Sequence, residues 1–276
     1  MENIASLLML ASGLGHSVVN AILKAGKDKM SGRALIDGFS ALLVAPAAFL
    51  VPLPEHAWAW LAASWVVHLA YLVCLINAFE QSDMSVAYPI SRGLAPMLAA
   101  TGAVALFGEA ITVTTALGIG LVSAGVFMVG VSHAVDNRAL LWSGLTGACI
   151  AAYTVIDAQG VRAAPSAPSY IVWVFLTLGI GIATVFAAWR GRTFLVAAAG
   201  QWKPGLVAGA LSICTYGLAL SALRLGATPR LAALRETSIL FAAVIAVLFL
   251  KEHLTKTRWL GIVVIGCGAG VLITTR

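Results

Sequence analysis

Charge is what this sequence has least of. Only 10% of its 276 residues are Asp, Glu, Lys or Arg, against 61% hydrophobic residues and a mean hydropathy of +0.97. Soluble domains carry about 25% charged residues, so a soluble globular domain is excluded. Cysteine is scarce as well. Cys74, Cys149, Cys214 and Cys267 each sit in an apolar stretch, with no C-x-x-C spacing and no histidine cluster beside them, which argues against disulfides and metal sites. No G-x-S-x-G, H-E-x-x-H or phosphate-binding glycine loop is present, so nothing in the chain points to an enzyme or to a cofactor. The net charge of +6 is scattered through short loops and forms no continuous basic block, which argues against nucleic acid as a partner.

What is abundant is uninterrupted apolar sequence. A stretch of about 20 such residues crosses a bilayer as a helix, and about ten stretches can be placed between polar breaks. They begin near Asn3, Arg33, Ala57, Met84, Thr112, Ala139, Pro168, Lys203, Pro229 and Thr257. The expected fold is an all-α polytopic membrane protein of ten transmembrane helices. The first span runs through His16, Ser17 and Asn20 into "KAGKDK" without a basic start or a small-residue cleavage site, and reads as retained rather than as a signal peptide.

The chain also resembles itself. An offset of 143 residues lays Arg92 on Arg235, Glu109 on Glu252, Thr112 on Thr255, Gly118 on Gly261 and Gly125 on Gly268. An offset of 137 lays His16 on Tyr153 and Asn20 on Asp157. The halves meet near Asp136, giving repeats 1–135 and 136–276 of about five spans each. An odd number of spans makes the second repeat enter from the opposite side, so the repeat is inverted.

Loop charge gives an independent reading of orientation, because Lys and Arg gather on the cytoplasmic side. Lys24, Lys27, Lys29, Arg33, Arg138, Arg190, Arg192, Lys203, Lys251, Lys256 and Arg258 fall in odd-numbered loops. Only Arg162, Arg224, Arg230 and Arg276 fall in even-numbered loops and the termini. Odd loops are therefore expected in the cytoplasm, and both termini outside.

The segments "AYPISRGLAPMLAATGAVALFGE", "AAYTVIDAQGVR" and "LRETSILFAAVIAVLFLKE" resemble those of EamA-type transporters in the drug/metabolite transporter superfamily, and the resemblance extends over essentially the whole chain. It implies two five-helix EamA repeats around a central cavity lined largely by spans 1, 3, 4, 6, 8 and 9, with spans 5 and 10 as scaffold. It implies no particular substrate: members are associated with amino acids, sugars, nucleotide-related metabolites and toxic compounds.

The intramembrane polar residues are the candidate site. Each buried arginine costs about 2.5–3.5 kcal/mol on insertion scales unless something polar meets it, which makes Arg92 and Arg235 the leading groups. Two readings stand for them: contact with a substrate or coupling ion, or an ion pair with Glu236 or Asp157 that fixes helix packing. Pro89 and Pro96 flank Arg92 and predict a broken span 4, and Tyr88 shares the arginine's face. His16 with Asn20, and Tyr153 with Asp157, make two polar i, i+4 faces. His68, Tyr71 and Asn77 in span 3 and Tyr216 in span 8 add to the same cavity. Asp157 and His16 are the candidates for proton coupling, with Glu236 as counter-ion, although packing roles remain open for each.

Glu109 and Glu252 read as helix-end residues, and the repeated glycines of spans 5 and 10 as packing. The expected function is a secondary transporter in a bacterial-type cytoplasmic membrane, working as a monomer. It moves a small anionic or zwitterionic, amino-acid-like metabolite by alternating access, with export as the expected direction. Uptake, efflux of a different metabolite or toxic compound, and a non-transporting scaffold or receptor are the alternatives.

Overall fold

The computed structural model of the chain describes residues 2–26, 28–82, 84–130, 136–248 and 254–274. Lys27, Lys251, Glu252 and Arg276, which entered the charge and repeat readings, lie outside the described residues. Among the described residues all regular structure is helical: α1 (Glu2–Ala25), α2 (Lys29–Val44), a short 3₁₀ turn (Ala45–Phe49), α3 (Trp58–Gln81), α4 (Met84–Phe107), α5 (Val113–Gly130), α6 (Asn137–Ala163), α7 (Ala167–Arg190), α8 (Arg192–Leu225), α9 (Thr228–Arg235), α10 (Ser238–Leu248) and α11 (Lys256–Thr274). Nine of these described helices are long and apolar enough to cross a membrane. The stretch expected as the ninth span is divided between α9 and α10.

The division has a local cause. Past Arg235 the backbone tightens to i→i−3 bonds, with Glu236 N–H reaching Ala233 O at 3.0 Å and Thr237 N–H reaching Leu234 O at 3.1 Å. The Thr237 hydroxyl donates to the same Leu234 carbonyl at 2.7 Å, capping the end of α9 from within. The expected break in span 4 is not there. Pro89 and Pro96 both lie inside a continuous α4. Each proline removes one backbone donor only, and Gly130 of α5 makes room for the Pro89 ring, on which an added methyl group would fall.

Apart from α4 with α5 and α7 with α8, chain neighbours touch little, and the two halves interleave. The largest pairings are α5 with α11, α3 with α6, α4 with α6, and α1 with α8. The α5–α11 seam is built on glycine. A Cβ at Gly125 would lie 2.7 Å from Gly261 O, and one at Gly268 would lie 2.9 Å from Gly118 O. The backbones meet directly there, and any larger residue overpacks the seam at a cost of about 1–3 kcal/mol.

Large apolar side chains cover the outside. Leu7, Leu42, Leu106, Val113 and Leu117 are all well exposed. Serines sit between helices instead, and Ser40 of α2 donates to Gly209 O of α8 at 3.0 Å. An outer surface this apolar belongs in lipid.

At 34 residues α8 is the longest helix, and at 1.5 Å per residue it is about 50 Å long, well beyond the ~30 Å hydrocarbon core. It starts eleven residues before the expected Lys203, because the segment Arg192–Gln201 is helical too.

Candidate functional site

A central cavity of about 180 Å³ is lined by α1, α2, α3, α4, α6, α7, α8 and Arg235 at the end of α9. Typical drug-sized pockets span about 300–1,000 Å³, so this volume fits a small metabolite. Of the candidates from sequence, His16, Asn20, His68, Tyr71, Tyr88, Arg92, Tyr153, Tyr216 and Arg235 line it. Asn77, Asp157 and Glu236 do not. The Asn77 amide bonds Val73 O of its own helix at 2.8 Å.

Three guanidinium groups reach the cavity, and their circumstances differ. Arg33 pairs with Asp37 one turn on, Nε to Oδ2 at 3.2 Å. Arg92 Nε lies 2.9 Å from Glu236 Oε2, and Arg92 Nη2 donates to Ser238 Oγ at 3.2 Å. That approach joins the charges without an aligned N–H, because neither Arg92 Nε nor Glu236 Oε2 has a hydrogen-bond partner of good geometry. Arg235 has no carboxylate within ion-pair distance among the described residues. Its guanidinium carbon stands 5.0 Å from the centre of the Tyr216 ring, a cation–π contact, and its buried Nε has no hydrogen-bond partner. It is 8% exposed and faces the cavity.

The break after α9 is what delivers this contrast. It sets Arg235, Glu236 and Ser238 within one irregular turn, with Glu236 and Ser238 meeting Arg92 of α4 while Arg235 remains at the cavity. Gly13 of α1 lets that helix come close to the turn, since a Cβ there would lie 3.3 Å from Ser238 N.

Behind the wall, Asp157 is fully buried. It accepts from Tyr170 Oη at 2.8 Å and from Tyr216 Oη. Tyr216 therefore carries Arg235 on its ring and Asp157 on its hydroxyl.

On the α3 side His68 stacks on Tyr153, with centroids 4.2 Å apart and planes at 24°, and Tyr71 meets Tyr153 edge-on at 5.8 Å. His68 Nδ1 lies 2.9 Å from Ser64 O. A carbonyl only accepts, so Nδ1 carries a proton and Nε2 is left to face other partners. Asn20 donates to Tyr88 Oη at 3.4 Å.

The cavity extends toward the end where α1 passes into α2 and α3 into α4, lined there by Leu23, Met30 and Phe79. The opposite end is tied across the halves. Glu109, just past α4, accepts from Arg162 Nη1 at 2.6 Å, Thr228 N at 2.7 Å, Thr228 Oγ1 at 2.7 Å and Gln159 Nε2 at 3.4 Å. Arg162 also donates to Leu223 O, Gly226 O and Thr228 Oγ1. Glu109 is thus more than the helix-end residue it resembles in sequence.

Sequence reasoning also missed Arg33 and Asp37, since Arg33 had been counted with the loops. It lies in the second turn of α2, facing the cavity. The i, i+4 spacing of an arginine and an aspartate inside an apolar run was the available signal.

An all-helical membrane-type fold around a polar cavity narrows the class, and sequence comparison supplies the family. Residues 137–274 match the EamA-like transporter family, and the chain belongs to it. A Sinorhizobium sp. protein described as an uncharacterized transporter in the cobO 3' region is 40% identical over 89 residues, a match that covers 28% of this chain and 63% of the relative. The chain thus spans less than two thirds of the length of the curated relative it matches. A solved structure described only as the crystal structure of a protein superposes with a TM-score of 0.74 at 14% identity, covering 98% of this chain and 95% of the other, which shows a shared fold.

Proposed function

We propose that the chain is a secondary transporter that carries a small anionic or zwitterionic, amino-acid-like metabolite across a cytoplasmic membrane by alternating access, as a monomer and in the export direction. The observation that carries this reading is Arg235. A buried guanidinium without a carboxylate facing a small cavity is a costly arrangement, and an anion in the cavity offsets that cost. Arginine also binds a carboxylate through two parallel bonds, which a lysine point charge does not.

The inverted repeats 1–135 and 136–276 supply the moving parts. The antiparallel pairing of Gly118 with Gly268 and of Gly125 with Gly261 supports that symmetry. With odd loops cytoplasmic and both termini outside, the cavity extends toward the cytoplasm and the Glu109–Arg162 tie closes the outer end, the state that loads cargo for export. Asp157, linked to Arg235 through Tyr216, is the coupling group, and His16 is the second candidate.

Purified protein in liposomes tests the proposal. Saturable flux of carboxylate-bearing metabolites is expected. In Arg235→Lys and Arg235→Gln it should fall by at least about tenfold, the weight of one charge-assisted hydrogen bond, with the folded yield retained. Flux that ignores both substitutions removes the anion-binding role, and the absence of any substrate-specific flux removes the transporter reading.

A further inference from the structure

A second, much larger space lies beside the central cavity. It has a volume of about 980 Å³ and is enclosed by the end of α1, the turn to α2, the start of α2 and the first half of α8. We propose that this crevice is a binding site for one anionic phospholipid, with the acyl chains along its walls and the phosphate at its mouth.

The walls are apolar, formed by Ile22, Ile36, Val196, Pro204 and Ala208. The polar groups Asp28 and Arg192 stand near the starts of α2 and α8, and Gln201 lies beside Gly26. Indole–cation pairs near the crevice suit a headgroup region. Arg190 stacks on Trp189 at 5.8 Å and Lys203 on Trp202 at 5.6 Å, the pairing of indole and cation found where bilayer meets water.

Charge selects the headgroup. The Asp28 carboxylate is already met by Arg190 Nη1 at 2.5 Å and by the Ser31 hydroxyl at 2.8 Å. Arg192 has no ion-pair or hydrogen-bond partner among the described residues, so the mouth carries an uncompensated positive charge. Basic pockets between membrane helices attract anionic headgroups, with each basic side chain worth about fivefold in binding.

The crevice has room to be filled. A Cβ at Gly200 meets nothing within 4 Å. A free phosphate satisfies Arg192 but leaves the apolar walls uncovered, so the occupant has both a phosphate and acyl chains. Leu23 lines this crevice and the central cavity alike, which puts the lipid one side chain away from the cargo.

The test uses delipidated, purified full-length protein. It measures unfolding temperature and native-mass retention with phosphatidylglycerol, with phosphatidylcholine and with inorganic phosphate. Phosphatidylglycerol alone is expected to stabilise and be retained, with retention falling about fivefold or more in Arg192→Gln. Gly200→Leu, which fills the crevice while improving helix propensity, is expected to lower retention to a similar degree.

Equal retention of both lipids, or stabilisation by inorganic phosphate alone, overturns the proposal. Loss in Arg192→Gln without loss in Gly200→Leu reduces the site to a surface contact and overturns it too. Loss in Gly200→Leu without loss in Arg192→Gln overturns the anionic headgroup. None of these readouts depends on flux.

Discussion

Arg92 and Glu236 close an ion pair between α4 and the turn after α9, at 2.9 Å and with both side chains almost wholly buried. Breaking such a pair from one side leaves a buried charge unmet, at a cost of about 3–5 kcal/mol, whereas replacing both partners with apolar residues is often neutral. Arg92→Met and Glu236→Met should each lower the unfolding temperature sharply in detergent. The double variant should recover most of the loss. Additive losses in thermal unfolding would show that the two residues act separately.

Asp157 is held by two phenols, of which Tyr216 lines the cavity. In the transport reading, Asp157→Asn flattens the pH dependence of flux while the protein stays folded. Tyr216→Phe keeps the ring beneath Arg235 and removes one donor to Asp157, which costs about 1–3 kcal/mol of stability. It should alter the pH profile and leave substrate affinity nearly unchanged. A liposome pH series on both variants decides this, and an unaltered profile in Asp157→Asn removes that residue from coupling.

Glu109 gathers Arg162, Thr228 and Gln159 at the end opposite the cavity's extension. Arg162→Ala removes the tie that reaches Leu223 O, Gly226 O and Glu109 together, and leaves the Glu109 carboxylate part-buried with fewer donors. A loss of about 1.5–3 kcal/mol follows. A cysteine placed at Gln159 should then react faster with an impermeant maleimide than it does with Arg162 intact. Equal labelling rates would mean that the tie does not hold that end shut.

At the basic end, Asp28 gives a pH-dependent contact outside the spans. Burial pushes its carboxyl up, but the Ser31 backbone and hydroxyl and the Arg190 guanidinium outweigh that and hold it below the usual carboxylate range. A lowered folded value means the stabilisation is present above the ordinary carboxylate range and is lost as pH falls through the lowered value. Hydrogen exchange at the first turn of α2 should be insensitive to pH near neutrality once intrinsic rates are corrected, and should rise in strongly acidic buffer. Arg190→Gln should move that rise to higher pH.

Much of this was legible before any coordinates. Helix starts such as Met84 follow directly from where polar breaks interrupt apolar runs, and most of the cavity's polar residues stood out because a polar group in lipid needs a reason. What the sequence hid were relationships between helices. Nothing local says that Glu236 turns away to Arg92 while Arg235 faces the cavity, since that depends on a two-residue interruption of a helix. The prolines of α4 misled because a proline's cost depends on what packs against it, and Gly130 is 41 residues further along the chain than Pro89. The start of α8 was missed because Gln201 and Lys203 read as a polar break between apolar runs, whereas the helix runs through them from Arg192.

The glycine seam between α5 and α11 lies apart from every residue that lines the central cavity. In the transport reading, mechanical support and chemical selectivity are therefore written in separate parts of the chain. On that reading a new cargo is specified by exchanging cavity-lining side chains on α1–α4 and α6–α8 while the pillar stays untouched. Conversely, one added methyl group at Gly125 can disable the molecule without altering what it recognises.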